Sequence, residues 1–492
     1  MRRTRPRQLR LVFADSSSEG KDVPNEDGSS GRTYLLHTAR ARTTPGLDAP
    51  AARGDEGLLE RVASEPNLAR ALLHVFRNHG APGVDGTSVE EVVRHAPRLL
   101  PRLRRELLSG RYRPGDIRRV WIPKPGGGRR GLGIPNVVDR WVSQAVLVIL
   151  EPVFEPTFHD SSHGFRPHRG AETALADVQR CLSEGLTWIV GVDLAAFFDQ
   201  VNHQRLLARM GRRVKDGRVL ALVHRMLKAK VALPDGVRVA NERGTPQGHP
   251  LSPLLSNIVL DELDGELQRR GLRFARYADD VHVFVRSERA GGRVLDALTR
   301  FLEGRMRLKV NRDKSGLVRP EQSHILGFSF RVGPDGRVET LLSETTRCRM
   351  AERIKRLTPR TWGRSLEELL RRTSVYLRGW MGHFQRCTAA GLRSLETLDA
   401  HIRRRIRAII VRQKGRRPRF LYRHLRSCGV GGRNAARAAW GQHGIWRCSH
   451  HPGLHRAYPN AWFHARLVSL AAEWHRLHPP TRASGQLTLF AL

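Results

Sequence analysis

Apolar positions along the chain predict most of its elements before any chemistry is considered. Leu58, Leu59 and Val62, then Leu68, Leu72, Val75 and Phe76, recur at helical spacing, with a break at Pro66. "VVDRWVSQAVLVILEPVFEP" predicts a helix ending at its prolines, and "LSPLLSNIVLDELDGELQRR" a helix with Leu, Ile and Val on one face. "RRVWIPKPGGGRRGLGIP" reads as two extended segments joined by a basic, glycine-rich turn, and "GAPGVDG" as a loop. "WIVGVDLAAFFDQV" is a short apolar strand running into a turn and helix. "FARYADDVHVFV" alternates as a β-hairpin bending near Ala278 and Asp279. Residues 1–55 lack periodic apolar positions and read as a disordered polar tail. Past residue 343 the chain turns helical and basic.

A length of 492 residues suggests about three domains at roughly 150 residues each. Charge changes the picture more: 86 Lys+Arg against 47 Asp+Glu leave a net +39. Self-repulsion on that scale points to a polyanionic partner, nucleic acid first. From Ala400 onward there are 18 Lys+Arg and one acidic residue, Glu473. In "HIRRRIRAIIVRQKGRRPRF" the arginines are interleaved with Ile, Val and Phe, which predicts a phosphate-binding surface. Five scattered cysteines form no CxxC and no disulfide framework, and Cys448 with His450, His451 and His455 matches no familiar zinc spacing. No apolar run approaches the ~20 residues of a membrane span, and "LVFA" is too short for a signal-peptide core. The expected compartment is a reducing, cytoplasmic one.

Asp279 and Asp280 are adjacent carboxylates in front of an apolar run, and Asp193 ends another apolar strand. Adjacent strands of one sheet would bring the three together, where they would repel unless hard divalent cations answered them. Mg²⁺ favours a few carboxylates plus substrate phosphates, and two such ions can clamp an in-line phosphoryl displacement. Each aspartate alone reads first as a cap or turn residue, and only the three together, in a chain of net +39, favour the catalytic reading.

In chain order, "GAPGVDG", "IPKPGGGRRGLGIP", "HGFRPHRGAETAL", "VDLAAFFDQVNH", "GTPQGHPLSPLLSNIVLDELD", "RYADD", "LKVNRDKSG" and "HILGFSF" resemble the blocks of a group II intron-encoded reverse transcriptase/maturase. "SLEELLRRTSVYLRGWMGHF" and "IWRCSHHPGLHRAYPNAWF" resemble its maturase-specific region. The resemblance covers nearly all of residues 58–470. It implies an α+β right-hand polymerase: fingers and an antiparallel-sheet palm over 56–342, a helical thumb/maturase domain X over 343–425, and a basic maturase/DNA-binding region over 426–492. It implies RNA-directed DNA polymerase activity with two Mg²⁺ ions held by Asp193, Asp279 and Asp280. Lys124 and Arg130 fall on the grip for the dNTP triphosphate, Phe198 on the aromatic gate against a 2′-hydroxyl, and Gln247 and Gly248 on the sugar and base. Lys314 falls on a lysine near the triphosphate, and Leu326 to Phe328 on the primer-grip hairpin. The implied partners are intron RNA, an RNA template with DNA primer, dNTPs and target DNA, in splicing and retrohoming.

The chain departs from the family pattern at Ala195 and Ala196 (usually a polar residue and a glycine), at His249 (usually small) and at Gly131 (usually proline). No HNH-type endonuclease with paired cysteines follows, so insertion is expected to use single-stranded DNA. Two other readings stay open: a domesticated reverse transcriptase with a host role, and an RNA-binding splicing factor that does not polymerise.

Overall fold

In a computed structural model of the protein, residues 57–123, 128–246, 248–414, 417–441 and 444–479 are described. The expected tail over 1–55 lies outside them, as do Lys124, Gln247 and the last residues of the basic region. The helices begin where the sequence marks them. Pro66 sits in the first turn of helix Glu65–Arg77. Ser88 and Glu91 form a reciprocal capping box on helix Val89–Leu108. Ser343 and Ser365 cap Glu344–Leu357 and Leu366–Phe384 by accepting from the amides of Thr346 and Glu368.

Among the described residues ten short strands form three sheets. β1 (Ile117–Pro123) pairs antiparallel with β2 (Arg129–Ile134) and parallel with β4 (Val231–Ala232), which pairs with β5 (Arg238–Val239). The central sheet has the order β6-β7-β3-β8, from β6 (Arg273–Tyr277), β7 (Asp280–Val285), β3 (Trp188–Asp193) and β8 (Gly316–Val318). β9 (Phe328–Val332) and β10 (Val338–Leu342) make a separate hairpin. The strand read from "WIVGVD" and the hairpin read from "FARYADDVHVFV" are therefore neighbours in one antiparallel sheet.

Strand alternation gives the two faces of that sheet to two cores. Val190, Val192, Val281 and Val283 join the core that contains helices Val137–Phe154 and Ser252–Arg269. Ile189, Ala275 and Phe284 join a second core, shared with helix Ala171–Ser183, the β9–β10 hairpin and the C-terminal helices. Helix Ser252–Arg269 is buried on more than the one face expected, since Asn257 and Asp264 are covered along with its leucines. It passes directly beneath the sheet, and that is where its polar residues act.

The basic region also differs from expectation. Arg405 and Arg407, in the middle of the arginine run, are buried and donate to the carbonyls of Thr358 (2.6 Å) and Tyr458 (2.8 Å). These two arginines hold helices together and present nothing to a phosphate. Among the described residues no helix is long and apolar enough to cross a membrane.

Candidate nucleotidyl-transfer site

The bend between β6 and β7 is two residues, Ala278 and Asp279, with Ala278 in the left-handed region at φ 57°. β3 runs antiparallel to β7 with Asp193 directly opposite Asp280. Residues opposite one another share a face, so Asp193 and Asp280 emerge side by side at the sheet's end. Asp279 sits in the bend, immediately before Asp280. Burial and the charges of Asp280 and Asp193 push the Asp279 carboxyl above the usual carboxylate range, against its own backbone hydrogen bond and the charge of Arg130.

The positions are tightly held. Asp193 donates its amide to Ser315 Oγ (2.9 Å), accepts from the Asn311 amide at its carbonyl (2.9 Å), and accepts from Asn311 Nδ2 at Oδ2 (3.0 Å). Lys314 lies exposed within the same turn, its amide donating to the Asn311 carbonyl at 3.2 Å. Asp280 Oδ1 lies 3.1 Å from His282 Nε2. Burial raises the Asp280 carboxyl, but the charge and hydrogen bond of His282, with His324, bring it below the usual range. Beneath the bend, Arg276 donates to the Ala278 carbonyl (3.0 Å), to Asn257 Oδ1 (3.0 Å) and to Ser162 Oγ (2.7 Å). Gly164 packs so closely there that a Cβ would sit 2.4 Å from the Ala278 nitrogen. That contact explains a glycine in "SHGF" that carried no function in the sequence.

A wall of backbone connects the other candidates. Phe198 is half-buried, its ring 5.4 Å from Phe197, and its carbonyl accepts from the Thr245 amide at 2.6 Å. Gly248, at φ 108°, lies against β2, where a Cβ would meet the Gly133 carbonyl oxygen at 2.7 Å. Arg130 is exposed on β2, close enough for its charge to act on Asp279. Ala196, where the resemblance favours glycine, adopts φ 48°, which accounts for that preference. His249 is buried, with Nε2 2.9 Å from Ser143 Oγ. Lys124 and Gln247 lie outside the described residues.

Asn311, Ser315, His282, Arg276, Asp264 and Ser162 were not singled out from the sequence. Asn311 and Ser315 stand in "LKVNRDKSG", and their polar side chains beside a strand-ending aspartate were the available signal.

The donor set of three carboxylates is all oxygen, so its chemistry fits a hard divalent cation. Among the described residues no three His, Cys, Asp or Glu side chains are gathered as a metal cage. The same absence covers the described residues around Cys448.

Two parts of the chain match known protein families. Residues 122–330 match the reverse transcriptase (RNA-dependent DNA polymerase) family, and residues 347–429 match the maturase-specific domain of group II introns. Protein YkfC of Escherichia coli K12 is 36% identical over 298 residues, spanning 52% of this chain and 78% of that protein. The group II intron-encoded protein LtrA of Lactococcus lactis subsp. cremoris is 39% identical over 171 residues, 35% of this chain and only 28% of LtrA. A Candida albicans telomerase chain aligns at a TM-score of 0.38 with 13% identity, over 62% of this chain and 63% of that one.

Proposed function

Because the chain belongs to the group II intron-encoded reverse transcriptase/maturases, a family of RNA-directed DNA polymerases, we propose that it copies its intron RNA into DNA at the Asp193–Asp279–Asp280 site. Its basic surface holds the same RNA to assist splicing, and the DNA copy serves insertion into a DNA target. The setting is the bacterial cytoplasm. One observation carries the polymerase reading: β3 and β7, remote in sequence, pair so that Asp193 stands opposite Asp280, with Asp279 at the bend and the charge of Arg130 reaching it.

In the proposed reaction the primer 3′-hydroxyl attacks the α-phosphate of a dNTP and pyrophosphate leaves. Two Mg²⁺ ions held by Asp193, Asp279 and Asp280 would supply Lewis-acid stabilisation of the oxygens on either side of the phosphorus. The chain's own residues do the rest. Lys124 and Arg130 neutralise the triphosphate with fixed cationic donors. Phe198 excludes a 2′-hydroxyl by a clash, while Gln247 and Gly248 line the sugar and base. Lys314, on the turn that grips Asp193, would give a proton to the departing pyrophosphate. Asn311 and Ser315 fix Asp193, and Arg276 fixes the bend.

The test is Asp279→Ala. Primer extension on an RNA template should be abolished while RNA binding, measured by filter retention, stays near wild type. Polymerisation retained by the variant overturns the site.

A further inference from the structure

The β1–β2 hairpin has a second face. Arg130 and its cross-strand partner Ile122 lie on one side of it, the side from which Arg130 acts on Asp279. Strand alternation puts Arg119, Trp121, Gly131 and Gly133 on the other. Trp121 is 47% exposed, which is unusual for so large an apolar side chain on a strand. The reason is its partner: Trp121 pairs with Gly131, which has no side chain to cover it.

Gly131 does more than leave space. Arg119 folds across it, donating Nη1 to the Gly131 carbonyl at 3.1 Å, with its guanidinium carbon 5.8 Å from the Trp121 ring centroid. A Cβ at residue 131 would lie 2.5 Å from that Nη1. The glycine at this departure from the family pattern therefore fixes a cation beside an open indole. Residues 117–134 hold five basic side chains and no acidic one.

We propose that Trp121 is a stacking platform for an unpaired base of the RNA template strand, with Arg119 holding the phosphate beside it. The proposal rests on the polymerase reading above, which puts the nucleotide on the Arg130 face and leaves the opposite face to the strand not yet copied. Every base has a π-face that stacks on an aromatic ring, and arginine adds charge attraction to the backbone. A duplex hides those faces, so the ligand is a single strand. A second copy of this chain, net +39, would set arginines against arginines on this face, whereas a polyanion is attracted to it.

The experiment uses the full chain bound to an RNA template annealed to a DNA primer, with 2-aminopurine placed in turn at each position of the 5′ overhang. Wild type should quench the fluorophore at one overhang position or two adjacent ones. Trp121→Ala should lose that quench and bind the overhang roughly 5- to 150-fold more weakly, as alanine replacement of a stacking aromatic does; Trp121→Phe should restore most of both. No quench at any position in wild type, or equal quench in Trp121→Ala, overturns the platform. So does a concentration-dependent self-association that Trp121→Ala removes while overhang binding is unchanged. The quench is read without catalysis, so failed extension by wild type counts against the polymerase reading alone.

Discussion

Arg276 and Asp264 form an ion pair with no side-chain exposure on either partner, at 2.5 Å, directly beneath the bend that carries Asp279. The guanidinium is satisfied on every side by Asp264, Asn257, Ser162 and the Ala278 carbonyl. A buried charge left alone is far worse than a buried pair, so Arg276→Met should lower stability by about 3–5 kcal/mol. Replacing both partners, as Arg276→Met with Asp264→Leu, should lower it by less than the sum of the single changes. Denaturant unfolding of the four proteins measures the coupling, and additive losses would mean that the pair does not act as a unit.

Asn311 and Ser315 hold Asp193 from both its carboxylate and its backbone. Asn311→Ala removes a hydrogen bond to a charged group, worth about 1.5–3 kcal/mol. We expect kcat for primer extension to fall about tenfold or more, with KM for the template-primer unchanged, since neither residue has been placed on that strand. A change confined to KM would remove the positioning role.

Phe198 stands half-buried beside Thr245 in the proposed gate. Phe198→Ala should raise ribonucleotide incorporation, and a relieved clash of roughly 1.4 kcal/mol would change the dNTP/NTP ratio of kcat/KM about tenfold. An unchanged ratio assigns the ring to packing against Phe197.

His249 is buried, and burial lowers its pKa to about 4. The unfolded imidazole protonates near pH 6.5, so as pH falls below that value the unfolded chain gains a proton that the folded one does not. Stability should drop with a slope approaching ~1.4 kcal/mol per pH unit and level off near pH 4. His249→Gln removes this group's share, so the wild-type and variant stabilities should converge or cross on acidification. Parallel curves from pH 7 to 4 would show that His249 is not the source.

Much of this protein is local and therefore visible in one dimension. β3 was legible because "WIVGVD" is apolar and bounded. The β6–β7 hairpin was legible because alternation and a two-residue bend are encoded by neighbouring residues. The break read at Pro66 is where a helix starts, with the proline in the first turn of Glu65–Arg77. Arg276 looked like one more basic residue in a basic chain, and Gly164 like loop punctuation, because nothing near them in sequence shows what packs against them. The arginine run misled at Arg405 and Arg407, whose carbonyl partners lie some 50 positions away.

The sequence by itself determined the elements, the overall charge and the order of the motifs, since each depends on periodicity or composition within a short stretch. Only the tertiary structure decided that Asp193 faces Asp280, that Asn311 and Ser315 grip the former, and that Trp121 is left uncovered. Those relationships depend on strand register and on close approach between distant segments. A shift of one residue in pairing turns every side chain to the other face, and no local pattern records it.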